Sequence, residues 1–178
     1  MNREKASIRG MIYAAFFGAL TAAGAYIIIP LPPVPITAQT FFLNVAAALL
    51  GGPLGAASQF IYIMLGVVGM PVFAGGKAGL GVLFGPTGGY LIGFILGAFV
   101  VGFLAGIKKD AGISWYILSM LAGMVIIYSL GVLQLSFVAK LDLLKALSVG
   151  VLPFLPGDIV KIVLAAFVSA RLKKRISI

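Results

Sequence analysis

Long apolar stretches, separated by short polar or proline-rich breaks, constrain this sequence more than any other feature. Apolar residues make up 62% of its 178 residues and charged residues 10%, whereas an average soluble domain is about 45–50% apolar and about 25% charged. A helix needs about 20 apolar residues to cross a membrane, and backbone exposed to lipid must be hydrogen-bonded within a helix or a closed barrel. The sequence therefore predicts an all-α integral membrane protein, with residues 1–178 forming a single domain of six transmembrane helices.

The predicted spans are bounded by proline, glycine and charged residues. Their approximate ranges are 10–29, 37–50, 54–68, 89–107, 114–138 and 156–170. The second is short for a span, and the amphipathic segment 140–145 is expected at the membrane interface. Ala23-Gly24-Ala25 resembles a signal-peptide cleavage site, but the apolar run before it is longer than that of a usual signal peptide. We therefore expect the first stretch to be a retained span.

Basic residues cluster at the ends of the predicted spans. They are Arg3, Lys5, Arg9, Lys108, Lys109, Arg171, Lys173, Lys174 and Arg175. Lysine and arginine are enriched on the cytoplasmic flanks of spans, so both termini are expected in the cytoplasm of a protein embedded in the lipid of the cell membrane. The loops at 30–38, 69–86 and 139–156 then face outward. This distribution accounts for the net charge of +9 without a nucleic-acid partner.

The missing residue types argue against an enzyme. The chain has no cysteine and no histidine, and its four carboxylates are Glu4, Asp110, Asp142 and Asp158. The commonest general base and the usual metal ligands are therefore absent. We expect no catalytic residue, no metal site and no cofactor. No ATP-binding motif is found, so any pumping must draw its energy from a partner or an ion gradient.

Asp158 and Lys161 form the sharpest functional signal. They lie three residues apart at the outer end of the last predicted span, a spacing that places both on one face of a helix. Charged groups inside a membrane are costly unless they are paired or solvated, and they mark candidate functional sites. Ligand binding by this pair is the sharper hypothesis, and a self-neutralising local ion pair is the alternative.

A glycine-rich stretch, Gly69–Gly89, is the second signal. Irregular backbone at membrane depth is tolerated where it is buried in protein or lines a cavity, and glycine lets backbone approach a ligand closely. Gly75, Gly76 and Lys77 are therefore candidate ligand contacts. A flexible outer loop, with its lysine at the lipid headgroups, is the equal alternative. Isolated polar residues, Asn44 and Tyr90 among them, either line a cavity or make ordinary interhelical hydrogen bonds.

Small residues recur every four positions in two spans. One row in the first span is Ala14, Gly18 and Ala22, and a second row beside it contains Ala15 and Ala19. Such rows let helices approach closely in lipid, so both are candidate contacts for a partner membrane protein, with internal packing as the alternative. The glycine row of the fourth span is expected to pack internally.

Three motifs resemble those of the BioY family, the biotin-specific substrate-binding (S) components of energy-coupling-factor (ECF) transporters. They are Pro33–Thr40 (PVPITAQT), Gly69–Gly76 (GMPVFAGG) continuing to Leu83–Tyr90 (LFGPTGGY), and Leu155–Lys161 (LPGDIVK). The resemblance covers nearly the whole chain. It implies six membrane helices with both termini inside, high-affinity capture of biotin from outside, and assembly with a transmembrane T component and two cytoplasmic ATPase subunits.

The resemblance also implies roles for particular residues. Asp158 would accept from the ureido group of biotin and Lys161 would donate to an acceptor on the ligand, while the glycine backbone and Tyr90 close the site. The small residues of the first span would contact the T component. Lys77 departs from the small or uncharged residue expected in the family, and it either contacts the ligand carboxylate or faces water. A carrier for another small anion, a membrane-embedded enzyme and a structural subunit are the competing hypotheses.

Overall fold

The computed structural model describes residues 8–108 and 111–173. Helices dominate this part of the chain, in agreement with the predicted fold class. The α-helices are α1 (Ile8–Tyr26), α2 (Gln39–Leu50), α3 (Gly52–Val67), α4 (Gly88–Ile107), α5 (Ile113–Ala139), α6 (Leu143–Gly150) and α7 (Leu155–Leu172). Pro53 and Pro156 lie in the first turns of α3 and α7, where the missing proline N–H costs no helical hydrogen bond.

The helices differ in whether they could cross a membrane alone. Among the described residues, α1, α4 and α5 are long and apolar enough, and α6 with α7 forms a further candidate span bent by 54°. The apolar helices α2 and α3 have 12 and 16 residues, about 18 and 24 Å at 1.5 Å per residue, against a hydrocarbon core about 30 Å thick. Three or four spans are therefore evident, and the six-span topology stays a prediction.

A two-stranded sheet is the main departure from a purely helical chain. Strand β1 (Ile28–Ile29) pairs antiparallel with β2 (Ile36–Thr37), and the backbone N–H of Ala38 donates to the carbonyls of Gly24 and Ile27, both at 3.1 Å. The intervening prolines prevent a helix here because they lack the N–H donor. The sheet fixes the start of α2 beside the end of α1.

Helices α2 and α7 lie side by side and run in the same direction. Near their N-terminal ends, the Thr40 hydroxyl donates to Asp158 at 3.1 Å. Near their C-terminal ends, the Lys173 ammonium donates to the Leu49 carbonyl at 2.8 Å. Both helices therefore begin at the same end of the molecule.

Glycines allow close contact between α4 and α5. A Cβ at Gly93 would lie 2.8 Å from the Cα of Ile127, and one at Gly97 would lie 3.0 Å from the carbonyl of Gly123. Real Cβ atoms essentially never lie 2.8 Å from backbone, so only glycine fits at position 93, and a Cβ at position 97 would require its neighbours to shift. This row packs internally, as predicted.

The small residues of α1 divide between two faces. Ala14, Gly18 and Ala22 are buried, and a Cβ at Gly18 would lie 2.8 Å from the Ser58 carbonyl of α3. These three residues face the interior of this chain, which matches the internal-packing alternative, and their role as partner contacts stays a prediction. Ala15 and Ala19 are exposed, and their role as partner contacts stays a prediction.

Candidate ligand-binding site

A cavity opens at the end of the molecule where α2, α4 and α7 begin. The cavity and its mouth enclose about 730 Å³ of space between atoms, open solvent at the mouth included. Its lining comes from the segment before α2, the segment between α3 and α4, and helices α2, α4, α5 and α7. The residues are Val34, Pro35, Thr37, Gln39, Thr40, Phe73, Ala74, Lys77, Val82, Thr87, Tyr90, Leu91, Phe94, Ile127, Tyr128, Phe154, Asp158 and Lys161.

Asp158 is the buried charge of this cavity. It lies in the first turn of α7 and is only 4% exposed. Its carboxylate accepts hydrogen bonds from the hydroxyls of Thr40 and Tyr128 and forms an ion pair with Lys161. A buried carboxylate is tolerated when it is paired and hydrogen-bonded in this way. The helix N-terminus adds a favourable field for an anion.

Lys161 joins the same network from the next turn of α7. Its ammonium pairs with Asp158 and also donates to the Thr37 carbonyl at 2.8 Å. A lysine has three N–H donors, so one remains for a ligand. The local ion pair of the alternative hypothesis does exist, and it forms part of the cavity wall.

A tight loop brings Phe73 and Lys77 to the cavity. Gly75 and Gly76 have φ angles of +73° and +72°, which glycine adopts without the steric penalty of other residues. The backbone N–H of Phe73 then donates to the Lys77 carbonyl at 3.0 Å. Gly75 and Gly76 are exposed and do not line the cavity. They shape the loop, whereas the sequence prediction placed their backbone against a ligand.

Tyr90 and Asn44 differ in their relation to the cavity. Tyr90 lines it, but its hydroxyl donates to the Gly150 carbonyl at 2.9 Å and so links α4 to the end of α6. Its ring lies over Gly131 of α5, where a Cβ would overlap it. Asn44 is buried one turn beyond Thr40 and is not part of the lining.

Several polar groups of the site were not singled out from the sequence. Gln39 donates to the Tyr62 hydroxyl and accepts from the Thr37 hydroxyl at 2.9 Å, and Tyr128 binds Asp158. Thr37, Gln39 and Thr40 form the polar end of the motif Pro33–Thr40. Their grouping in an apolar chain could have identified them as site residues from the sequence. Tyr128 is a lone tyrosine within an apolar span, and only the tertiary fold shows what it contacts.

The cavity combines a polar wall with apolar surfaces. Asp158, Lys161 and Thr40 supply a charged acceptor, a charged donor and a hydroxyl close together, while Phe73 and Phe94 represent the apolar remainder. Such a wall can orient a small ligand that carries adjacent donors and acceptors on an apolar body. The described residues contain no group of three or more His, Cys, Asp or Glu that could hold a metal.

The fold defines a multi-pass membrane protein, and its cavity joins a charged wall to apolar surfaces. The chain belongs to the BioY family, whose sequence model matches residues 1–178. This result confirms the resemblance seen in the three motifs. The family comprises transport proteins, which confirms the prediction that the chain is not an enzyme.

Individual relatives are similar over nearly the whole chain. The biotin transporter BioY of Thermotoga maritima is 50% identical over 94% of this chain and 97% of its own length. The probable biotin transporter BioY of Pyrococcus horikoshii is 40% identical over 89% of this chain and 93% of its own. A crystal structure of the S-component for biotin from an ECF-type ABC transporter matches with a TM-score of 0.87 and 30% identity, covering 98% of this chain and 95% of that one.

Proposed function

We propose that this protein captures biotin with high affinity from outside the cell and serves as the S component of an ECF-type ABC transporter. The observation that carries the proposal is the buried Asp158 carboxylate joined to Lys161 in the wall of the cavity, in a chain of the BioY family. The named relatives, described as biotin transporters, support the choice of solute.

The chemistry of biotin matches this wall. Its ureido ring places N–H donors next to a carbonyl acceptor, and Asp158 and Lys161 place an acceptor next to a donor. An ionised carboxylate offers about four lone-pair positions, of which Thr40, Tyr128 and Lys161 use three. We assign the remaining position on Asp158 to one ureido N–H group and the remaining Lys161 donor to the ureido carbonyl, with Phe73 and Phe94 beside the apolar thiophane ring.

The proposed topology has six membrane crossings with both termini in the cytoplasm. Helices α2 and α3 would each count as a crossing despite their length, since short spans are accommodated by local thinning of the bilayer. The basic residues near Arg171 would then face the cytoplasm, and the cavity at the opposite end of α7 would open outward.

We further propose that a transmembrane T component and two cytoplasmic ATPase subunits supply the energy. The similarity to an S-component from an ECF-type ABC transporter supports this assembly. Ala15 and Ala19 on the exposed face of α1 are the proposed contacts with the T component, because small residues let a partner helix approach closely in lipid.

Calorimetric titration of biotin into the detergent-purified protein, stripped of endogenous ligand, tests the proposal. We expect tight, near-stoichiometric binding that excess thiamine or riboflavin does not reduce. Folded, stripped protein that fails to bind micromolar biotin would contradict it. Binding of a different small anion in a competition panel would favour the alternative, a carrier with the same fold and another solute.

A further inference from the structure

The charges around the cavity do not balance. Among the described residues that line it, the acidic and basic side chains are Lys77, Asp158 and Lys161. Asp158 and Lys161 neutralise each other as an ion pair. Within the described part of the chain, Lys77 has no carboxylate partner, so one formal positive charge among the lining residues is not compensated by another lining residue.

The position of Lys77 places this charge at the mouth of the cavity. Lys77 is directly opposite Phe73 across a single antiparallel bridge, and side chains at such opposed positions lie on the same face. Phe73 is 1% exposed and forms part of the cavity wall, whereas Lys77 is exposed. The aliphatic stem of a lysine can follow an apolar wall while its ammonium remains in water. The ammonium of Lys77 therefore lies nearer the solvent than the buried Asp158.

We propose that Lys77 is a specificity-determining residue that binds the carboxylate of the ligand at the mouth of the cavity. The inference rests on the proposed function, because biotin carries its ureido group and its carboxylate at opposite ends. With the ureido ring at Asp158, the tail extends toward the mouth, where a charge-assisted hydrogen bond to Lys77 becomes available. The site thus selects molecules with a free carboxylate over their neutral amides and esters.

Titrations with biotin and with biotinamide, its neutral amide, test this role. We expect the unmodified protein to prefer biotin by about tenfold, which corresponds to about 1.4 kcal/mol. Lys77→Gln should abolish the preference by weakening biotin binding alone, while Lys77→Arg should retain it. Lys145→Gln is the matched control, because it removes an equal charge from an exposed residue of α6 outside the cavity lining.

The outcomes separate this inference from the proposed function. Retained biotinamide binding by the Lys77→Gln variant would show that its site is folded. An unchanged preference for biotin in that variant would overturn the role of Lys77 and leave biotin capture intact. A similar loss of preference in Lys145→Gln would also overturn it, since the effect would then be one of net charge. If the unmodified protein bound neither ligand, the proposed function would fail and this inference with it.

Discussion

The Tyr128 hydroxyl, on α5, donates a hydrogen bond to the Asp158 carboxylate, on α7. Thr40 of α2 donates to the other oxygen of the same carboxylate. Three helices therefore meet at one buried anionic group. The position of that group in the cavity depends on α2 and α5 as much as on its own helix.

Tyr128→Phe is expected to weaken biotin binding about threefold to tenfold and to lower the free energy of unfolding by about 1–3 kcal/mol. The substitution leaves a buried carboxylate short of one donor, and an unsatisfied buried polar group costs about that much. Titration calorimetry and thermal unfolding in detergent would measure both effects. Ser129→Ala is the control, because Ser129 is exposed and its hydroxyl donates to the Val125 carbonyl of its own helix. Unaltered binding by Tyr128→Phe would mean that this hydroxyl does not support the site.

Asp158→Asn is expected to reduce biotin affinity by at least about tenfold, or about 1.4 kcal/mol. The amide keeps the volume of the carboxylate but has one acceptor oxygen, and it cannot neutralise Lys161. Asp142→Asn supplies the matched control, because Asp142 is exposed and caps α6 by accepting from the Leu144 N–H at 3.1 Å. Equal affinity in the Asp158 variant and the unmodified protein would remove Asp158 from the binding site.

Gly18→Leu is expected to destabilise the protein rather than to act on assembly alone. A side chain here meets the Ser58 carbonyl of α3, and overpacking of this kind costs about 1–3 kcal/mol or more. Thermal unfolding in detergent should show a lower midpoint, and biotin binding should fall with it. A variant as stable as the unmodified protein would contradict the close α1–α3 contact.

Ala19→Leu is expected to leave stability and biotin binding unchanged and to impair assembly with the T component. Ala19 follows Gly18 on α1 but is exposed. A larger side chain at this position would therefore obstruct a partner helix and not the packing within this chain. Co-purification of the T component with the variant measures this directly, and Ile12→Leu on the same exposed part of α1 is a volume-matched control. Full assembly of Ala19→Leu would exclude this face as the contact.

The sequence predicts most helices well, because apolar runs end where proline, glycine or charge makes a helix in lipid unfavourable. Helix α4 was expected at 89–107 and spans Gly88–Ile107, and α7 was expected from Pro156 and begins at Leu155. Asp158 and Lys161 were predictable for the same reason, since charges stand out in an apolar span. The sequence could not predict whether Gly18 faces the interior of the chain or a partner, because small residues are used for close helix contacts of both kinds.

The loop before α4 marks another limit of sequence reasoning. Its glycines were evident, but glycine can approach a ligand or supply a positive φ angle, and composition does not distinguish the two uses. At Gly75 and Gly76 the second use applies. Tyr128 was missed for a related reason, because the carboxylate that it contacts is 30 positions away in the chain.

Asp158 and Lys161 lie three residues apart on one helix, whereas Thr37, Thr40 and Tyr128 reach them from elsewhere. If α7 shifted relative to its neighbours, the Asp158 carboxylate and the Lys161 ammonium would move with it as a pair. The bonds that such a shift would exchange are those with the hydroxyls of Thr40 and Tyr128 and the carbonyl of Thr37. A shift of α7 would thus leave the Asp158–Lys161 ion pair intact.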